Sequence, residues 1–207
     1  MCVSCENGGF HQEKFTDKRA LLQSDYFTSA VLDRYKEDGA VKIHINKESF
    51  GEAKKPVMKY IKSLIKEIDL ITGTRIHKVN NRGVADITVE NYLDYSTDPV
   101  TAKYDDSTMG VAFISEGLSH ATTANKHILS FPRLKKNGKL SKKHRDITDS
   151  TKRLIAHELL HALGLSHPNN VGSEEGFDNS ETTMSYNNRH LWNGLTPLDK
   201  AAVAALW

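Results

Sequence analysis

Apolar and polar residues alternate over residues 40–45 and again over residues 84–90, which predicts two strands that each bury one face. Between them, apolar residues recur every three or four positions over residues 57–68, with lysines in between. This spacing predicts an amphipathic helix, because residues three or four apart lie on one helical face. Residues 74–79 have the composition of a further short strand. The order of strand, helix and two strands predicts a twisted sheet with a helix packed across it.

Weaker patterns predict the remaining elements. Apolar residues near one face predict a helix over residues 17–36, and residues 110–115 and 127–131 have strand character. Residues 150–163 have apolar positions around a histidine-bearing face, which favours a third helix. A last helix is predicted at the end of the chain, in LTPLDKAAVAALW.

The predicted helix ends carry residues that suit their positions. Gly73 suits the exit of the second helix, because glycine accepts a left-handed conformation. Asp149 or Ser150 can cap the start of the third helix. Thr196 is a suitable cap for the last helix, and Pro197 fits its first position.

The composition fits one globular domain with a sizeable core, since the chain has 207 residues, of which 38% are hydrophobic and 26% charged. Its 28 basic and 26 acidic residues give a formal net charge of +2. This balance argues against binding to nucleic acid or to a membrane as the main task. No apolar run reaches the roughly 18 residues of a membrane span, so no span is expected. We also expect a monomer.

Two cysteines, Cys2 and Cys5, lie in a polar segment that we expect to be an unstructured tail, residues 1–15. Two thiolates are half of a four-ligand zinc site, and two cysteines are too few for a disulfide framework. Redox sensitivity, lipidation of Cys2 and a thiolate that masks a metal stay open as interpretations. The segment has no apolar core like that of a secretory signal peptide, so the compartment stays open too.

The segment HELLHALGLSH has three histidines and a glutamate at the spacing of a zinc site. His157 and His161 are four residues apart, so on a helix their imidazoles point the same way and can share one metal ion. Gly164 would end the helix and let the chain turn back, so that His167 approaches from outside the helix. Three neutral imidazoles leave a fourth tetrahedral position open for water, as a catalytic zinc site requires. Glu158, beside the first ligand, is close enough to reach that water.

A core helix with two internally hydrogen-bonded histidines is the alternative interpretation. The short pattern HExxH also occurs by chance, but the full HExxHxxGxxH is a much longer constraint. A segment TMSY follows, which contains Met184 and Tyr186 and supplies the second element of the same pattern. The two segments together favour a catalytic zinc over a purely structural role.

Three further groups of polar residues are weaker candidates. Aspartates in residues 91–109 could provide oxygen ligands for calcium, but their spacing matches no known loop, so a surface loop is favoured. His120 and His127 could belong to a second zinc site, but without a full ligand set they are better interpreted as exposed loop histidines. The basic segment 133–145 could bind an anionic partner, although a solvated excursion explains it better. The aspartates and basic residues concerned are Asp94, Asp98, Asp105, Asp106, Arg133, Lys135, Lys136, Lys139, Lys142, Lys143 and Arg145.

HELLHALGLSHP followed by TTMSY resembles the metzincin metallopeptidases, and within them the serralysin and matrixin branch. ADITVENY at residues 85–92 resembles the strand that follows the first helix of that branch, and GVAF at 110–113 resembles its substrate-binding edge strand. The terminal LTPLDKAAVAALW is similar to its closing helix. The sequence contains neither the glycine-rich calcium-binding β-roll of serralysins nor the PRCGxPD switch of matrixins.

The resemblance implies an α+β fold with a catalytic domain at residues 40–207, after an N-terminal extension of residues 1–39. In this fold a twisted five-stranded sheet, mostly parallel with one antiparallel edge strand, packs with helices above an active-site cleft. A small lower subdomain holds the C-terminal helix and the methionine-containing turn, called the Met-turn. The resemblance also favours a secreted protein.

The resemblance further implies a zinc-dependent endopeptidase that hydrolyses peptide bonds with a zinc-bound water. Glu158 would be the general base, and Tyr186 would bind zinc at rest and then move to stabilise the oxyanion. Met184 would form an apolar floor beneath the histidines. An extended peptide or protein substrate would pair with the edge strand, which contains Gly110, Val111, Ala112 and Phe113.

Two other functions share these residues and stay open. One is a zinc hydrolase, such as a toxin, that acts on a non-peptide amide. The other is a catalytically silent zinc-binding module in which Glu158 is idle. Cleavage and binding of extended peptides distinguish the three functions.

Overall fold

The computed structural model describes residues 18–22, 39–73, 75–91, 111–115, 126–131 and 147–207. The strands in these ranges are β1 (Ala40–Ile45), β2 (Arg75–Val79), β3 (Ile87–Asn91), β4 (Val111–Ser115) and β5 (Lys126–Phe131). The α-helices are α1 (Lys54–Thr72), α2 (Asp149–Ala162) and α3 (Pro197–Leu206). Short 3-10 helices cover Lys18–Leu21, Lys47–Ala53, Arg82–Val84, Pro168–Asn170 and Arg189–Leu191.

The strands form one mixed sheet in the order β2-β1-β3-β5-β4. β1 pairs in parallel with β2 and with β3, and β3 pairs in parallel with β5. β4 is at one edge of the sheet and runs antiparallel to β5. α2 packs against β4 and β5, while α1 packs against α3. The protein therefore has the mixed α+β architecture that the sequence predicts.

The amphipathic patterns predict β1, α1 and α3 closely. β1 covers residues 40–45, and its apolar positions are the buried ones. α1 buries the predicted apolar face and ends at Gly73, whose φ of 67° is left-handed. α3 begins with a capping box, in which Thr196 and Asp199 each accept a hydrogen bond from the other's backbone N–H. Local sequence therefore determines these elements.

The strand predicted at residues 84–90 requires two corrections. The 3-10 helix Arg82–Val84 precedes it, so β3 begins only at Ile87. Both faces of β3 are buried, whereas the alternating pattern predicts one buried face. The reason is its position, because a strand between parallel neighbours in the middle of a sheet is covered on both faces.

The polar residues in and beside β3 are paired within the protein. Asp86 accepts a hydrogen bond from the backbone N–H of Lys42 at 2.7 Å. Glu90 forms an ion pair with Arg82 at 3.1 Å and accepts a hydrogen bond from Asn46 at 3.3 Å. Because buried polar groups are tolerated when they are hydrogen-bonded, this strand can be polar at alternate positions and still be buried.

Part of the predicted N-terminal extension belongs to the hydrophobic core. Ala20 and Leu21 have no exposed surface, and their 3-10 helix packs against α3. The carbonyl oxygen of Leu21 accepts a hydrogen bond from the N–H of Ser166 at 2.9 Å. This hydrogen bond connects Leu21 to the segment after α2, and the chain bends at Leu22, where the sequence predicts helix over 17–36. A boundary at residue 39 would therefore leave Leu21, a core residue, outside the predicted domain of residues 40–207.

Several predictions concern residues outside the described ranges and stay predictions. These are the tail with Cys2 and Cys5, the calcium ligands Asp94, Asp98, Asp105 and Asp106, Gly110, His120, and the basic segment 133–145. Among the described helices, none combines the length and the apolar character needed to cross a bilayer.

Candidate metal centre

The N-cap of α2 lies one residue before the first predicted candidate, Asp149. Thr148 is the N-cap, because its backbone is extended and its hydroxyl accepts a hydrogen bond from the N–H of Thr151 at 3.1 Å. Asp149 and Ser150 are the first helical residues instead. Asp149 lies near the positive end of the helix and pairs with Lys152 at 2.9 Å.

The end of α2 reverses the chain as predicted. The helix ends at Ala162, and Gly164 has a φ of 106°, which a residue with a side chain rarely adopts. The N–H of Leu165 then donates to the carbonyl oxygen of Leu160 at 3.0 Å. This turn brings His167 back towards the helix from outside it.

The three predicted ligands converge on one point. Nε2 of His167 lies 3.2 Å from Nε2 of His161 and 3.2 Å from Nε2 of His157. All three side chains are buried, and their ligand atoms lie within 4.8 Å of one another. Two nitrogens bound to one tetrahedral ion at about 2.0–2.1 Å would be roughly 3.3–3.4 Å apart. The observed spacing therefore fits one metal ion held by three imidazoles.

Backbone carbonyls orient two of these imidazoles. Nδ1 of His157 lies 2.8 Å from the carbonyl oxygen of Thr183, and Nδ1 of His161 lies 2.7 Å from that of Leu165. A carbonyl oxygen can only accept, so each Nδ1 carries the proton and each Nε2 keeps its lone pair. Both lone pairs face Nε2 of His167, an arrangement that a bound cation stabilises.

Burial also keeps these histidines in the form that binds a metal. Burial lowers the pKa of His157 well below its ordinary value, and the nearby His161 and His167 lower it further. Burial lowers the pKa of His167 to about 4. At neutral pH these imidazoles are therefore neutral, as metal coordination requires.

We predict that the metal-free protein loses stability in mild acid. Because His157 and His167 have a lower pKa when folded than the ordinary value of about 6.5, the unfolded state binds more protons between about pH 6.5 and pH 4. The free energy of unfolding is therefore highest above this window and falls as the pH falls through it, by about 3 kcal/mol for His167 alone. Urea unfolding of chelator-treated protein at pH 7 and pH 4 measures this loss. Equal stability at the two pH values would contradict it.

The candidate Met-turn is buried and tightly hydrogen-bonded. Met184 has no exposed surface and belongs to the hydrophobic core. The Asn179 side chain donates to the carbonyl oxygens of Thr182 and Ser185, on either side of Met184. The Ser185 hydroxyl donates to the carbonyl oxygen of Phe177 at 2.9 Å. These bonds fix the turn that carries the carbonyl partner of His157.

Asp199 connects this turn to the last helix. Its carboxylate is fully buried and accepts hydrogen bonds from the hydroxyls of Thr182 and Thr183, at 2.6 Å and 2.7 Å. It also accepts from the N–H groups of Thr183 and Thr196. Because the carbonyl of Thr183 orients His157, Asp199 supports that ligand indirectly. From the sequence, Asp199 is recognisable only as an acidic residue in the first turn of α3, because its contact with Thr183 is a tertiary one.

Replacing Asp199 with alanine should lower the free energy of unfolding by about 2–4 kcal/mol, because several buried donors lose their acceptor. If the histidines hold a metal ion, its affinity should fall by about 10–100-fold, because the Thr183 carbonyl is no longer held against His157. Urea unfolding and zinc titration measure the two effects. The matched control is Asp149→Ala on α2, where the side chain is 79% exposed and a change of about 0.5 kcal/mol or less is expected. Equal effects of the two substitutions would contradict the role of Asp199.

Tyr186 lies beside the histidine cluster. Its ring centroid is 5.4 Å from that of His157 and 4.6 Å from that of His167, and the Arg189 guanidinium lies 5.0 Å from its centre. Its backbone N–H donates to the carbonyl oxygen of Gly172. A Cβ atom at Gly172 would collide with the Tyr186 ring, so only glycine allows this close approach. The role of Gly172 has no signal in the sequence, because it depends on a partner 14 residues away in the chain.

The other predicted site residues lie on or next to α2. Glu158 directly follows the first histidine and is 4% exposed. β4 contains Val111, Ala112 and Phe113 of the predicted edge strand and lies against α2. The described residues thus bring the histidines, Glu158, Tyr186 and the candidate edge strand to one region of the protein.

Comparison of the chain with protein-family models and with curated proteins gave no match.

Proposed function

We propose that the protein is a zinc-dependent endopeptidase of the metzincin type. The observation that carries this proposal is the convergence of three buried imidazole nitrogens, with a buried carboxylate on the next residue after the first ligand. A site with three protein ligands leaves a coordination position for chemistry, whereas purely structural zinc sites use four.

Zinc is the metal that these ligands fit best. The described ligand group consists of His157, His161 and His167 and contains no carboxylate. Imidazole nitrogens suit zinc, while calcium and magnesium prefer oxygen ligands. When bound, zinc would supply a Lewis acid that polarises the scissile carbonyl and lowers the pKa of a water molecule to about 7.

Glu158 is the general base in this proposal. Its carboxylate accepts a proton from the attacking water as the new C–O bond forms at the scissile carbonyl. The same carboxylate then gives the proton to the leaving nitrogen as the C–N bond breaks. One side chain can do both because the proton leaves it at the end of each cycle. Its position next to His157 on a buried helix supports this role.

Tyr186 and Met184 have supporting roles. The Tyr186 hydroxyl donates a hydrogen bond to the oxyanion that develops on the carbonyl oxygen. The contacts of its ring with His157 and His167 support this role, because they place it beside the ligands. Met184 provides an apolar floor in the buried turn after Thr183.

The substrate is an extended peptide or protein that adds a strand to β4. β4 has one partner among the described strands, β5, and is therefore at an edge of the sheet. An extended peptide can pair with such an edge through main-chain hydrogen bonds. α2 packs against β4, so a peptide bound there would run close to the histidines.

The architecture supports the metzincin assignment. The sheet has three parallel pairings and an antiparallel edge strand next to the helix with the HExxH motif.

Cleavage profiling of a peptide library by mass spectrometry tests the proposal. We expect internal cleavage of extended peptides, loss of cleavage with a zinc chelator, and recovery after zinc is restored. Tight zinc binding without cleavage of any peptide would indicate the silent module instead. Cleavage of small non-peptide amides alone would indicate the other hydrolase.

Replacing Tyr186 with phenylalanine should lower turnover by about 10²–10³-fold, because it removes one oxyanion donor and keeps the ring. The Michaelis constant should change less, since the hydroxyl acts mainly in the transition state. Steady-state kinetics on one cleaved peptide measures both values. Tyr60→Phe on α1 is the control, and equal kinetics for the two variants would remove Tyr186 from the mechanism.

A further inference from the structure

α2 carries a buried cation that the proposed mechanism does not use. Arg153 is only 3% exposed, yet no hydrogen bond or ion pair joins its guanidinium to a described residue. Its Nη1 atom is buried and has no hydrogen-bond partner. Buried arginines are normally paired, because removal of a charge from water is unfavourable unless another group compensates it.

Arg153 lies on the metal-binding side of α2. It precedes His157 by four residues, so the two side chains lie on one helical face, a turn apart. Burial lowers the pKa of Arg153, and the charge of Arg189 lowers it further, while Glu158 and Tyr186 raise it. Arg153 thus interacts electrostatically with Glu158, the residue after His157, and with Tyr186, whose ring stacks on His157.

The charges around this position favour an anion. Arg189 lies over the Tyr186 ring, and a bound zinc ion would add two positive charges. Glu158 is the carboxylate that interacts with Arg153. A guanidinium presents a planar fork of N–H donors that fits the two oxygens of a carboxylate. The missing partner of Arg153 therefore has the chemistry of a carboxylate.

We propose that Arg153 is a specificity-determining residue that selects peptides with an aspartate or glutamate beside the scissile bond. The inference rests on the proposed peptidase function and adds the class of substrate. A substrate side chain that enters next to α2 brings its carboxylate to the buried Nη1 donors. If Arg153 instead kept Glu158 ionised, replacing Arg153 would change the cleavage of all substrates alike.

Two matched peptides test this proposal. Library profiling of the zinc-loaded protein first identifies the peptide position at which aspartate or glutamate is preferred. Two peptides are then made that differ only at this position, where one has Glu and the other has Gln. We expect kcat/KM to be about 10–100-fold higher for the Glu peptide, which is the range of a hydrogen bond to a charged group. Arg153→Gln should reduce this ratio to about 1. Arg153→Lys should keep part of it, because it keeps the charge and loses the fork.

Arg75→Gln on β2 is the matched control, because Arg75 is exposed on the opposite edge strand, and it should keep the wild-type ratio. Zinc content and near-ultraviolet circular dichroism show that each variant is folded. Should Arg153→Gln fail to fold, the ratio measured with Arg153→Lys and the wild-type preference itself still decide.

The outcomes separate the two proposals. Equal cleavage of the Glu and Gln peptides by the wild-type protein would overturn the role of Arg153 and leave the peptidase function intact. If Arg153→Gln lowered kcat/KM for both peptides and left their ratio unchanged, this result would also overturn the role of Arg153 in specificity. It would indicate instead that Arg153 acts through Glu158.

Cleavage of no peptide would overturn the peptidase function, and binding then decides the role of Arg153. Fluorescence anisotropy with the zinc-loaded protein then compares binding of two labelled peptide libraries that are identical except that one contains Glu and the other Gln at a fixed central position. Tighter binding of the Glu library than of the Gln library, with the difference lost in Arg153→Gln, would support the proposal that Arg153 binds a carboxylate. Equal binding, or no binding, would overturn it.

Discussion

Replacement of Glu158 by alanine should lower turnover of a cleaved peptide by about 10²–10⁴-fold, because it removes the proposed proton acceptor, and the histidine cluster of the described residues contains no carboxylate. We expect zinc content to remain at one ion per chain, since the three proposed ligands are histidines and do not include Glu158. The melting temperature should change little, because the metal stays bound. Steady-state kinetics combined with metal analysis of the same sample measures all three quantities.

Glu175→Ala is the control for this substitution, because Glu175 is exposed and lies outside the histidine cluster. It should keep wild-type turnover and zinc content. A Glu158→Ala protein with near wild-type turnover would contradict the mechanism. A protein that lost zinc as well as activity would make Glu158 a ligand rather than a base.

Replacement of His161 by alanine should abolish stoichiometric zinc binding and reduce peptide cleavage to background. Two imidazoles remain, too few for the three protein ligands of a catalytic zinc site. Zinc at 1,000 times its dissociation constant stabilises a folded protein by about 4 kcal/mol. For a chain of this size that equals about 8–16 °C in melting temperature. The variant should therefore melt at least that far below the zinc-loaded wild type.

His77→Ala on β2 is the matched control, because His77 is exposed and far along the sheet from α2. It should bind one zinc and melt like the wild type. Addition of a chelator should lower the melting temperature of the wild type and of His77→Ala but leave that of His161→Ala unchanged. A His161→Ala protein that still binds one zinc tightly would contradict the proposed ligand set.

The convergence of the three histidines could be predicted from sequence because their geometry is mostly local. His157 and His161 are one helical turn apart on α2, and Gly164 supplies the reversal that brings in His167. The same holds for α1 and α3, whose apolar faces and end residues lie within single segments. Helix geometry turns spacing in the sequence into spacing in the structure.

Contacts between distant segments could not be predicted in this way. The support that Asp199 gives to Thr183 joins residues 16 positions apart, and no periodicity encodes it. The complete burial of β3 depends on its neighbours in the sheet, and the place of Leu21 in the core depends on a hydrogen bond from Ser166. Arg153 looks like an ordinary polar helix residue until its burial is known.

A zinc titration of metal-free protein, followed by peptide hydrolysis, tests whether the protein is a zinc-dependent peptidase. We expect no hydrolysis without metal, a linear rise with added zinc, and a plateau at one zinc per chain. The His161→Ala variant should show no rise at all. Hydrolysis that is independent of zinc, or a protein saturated with one zinc that cleaves no peptide, would contradict the proposed function.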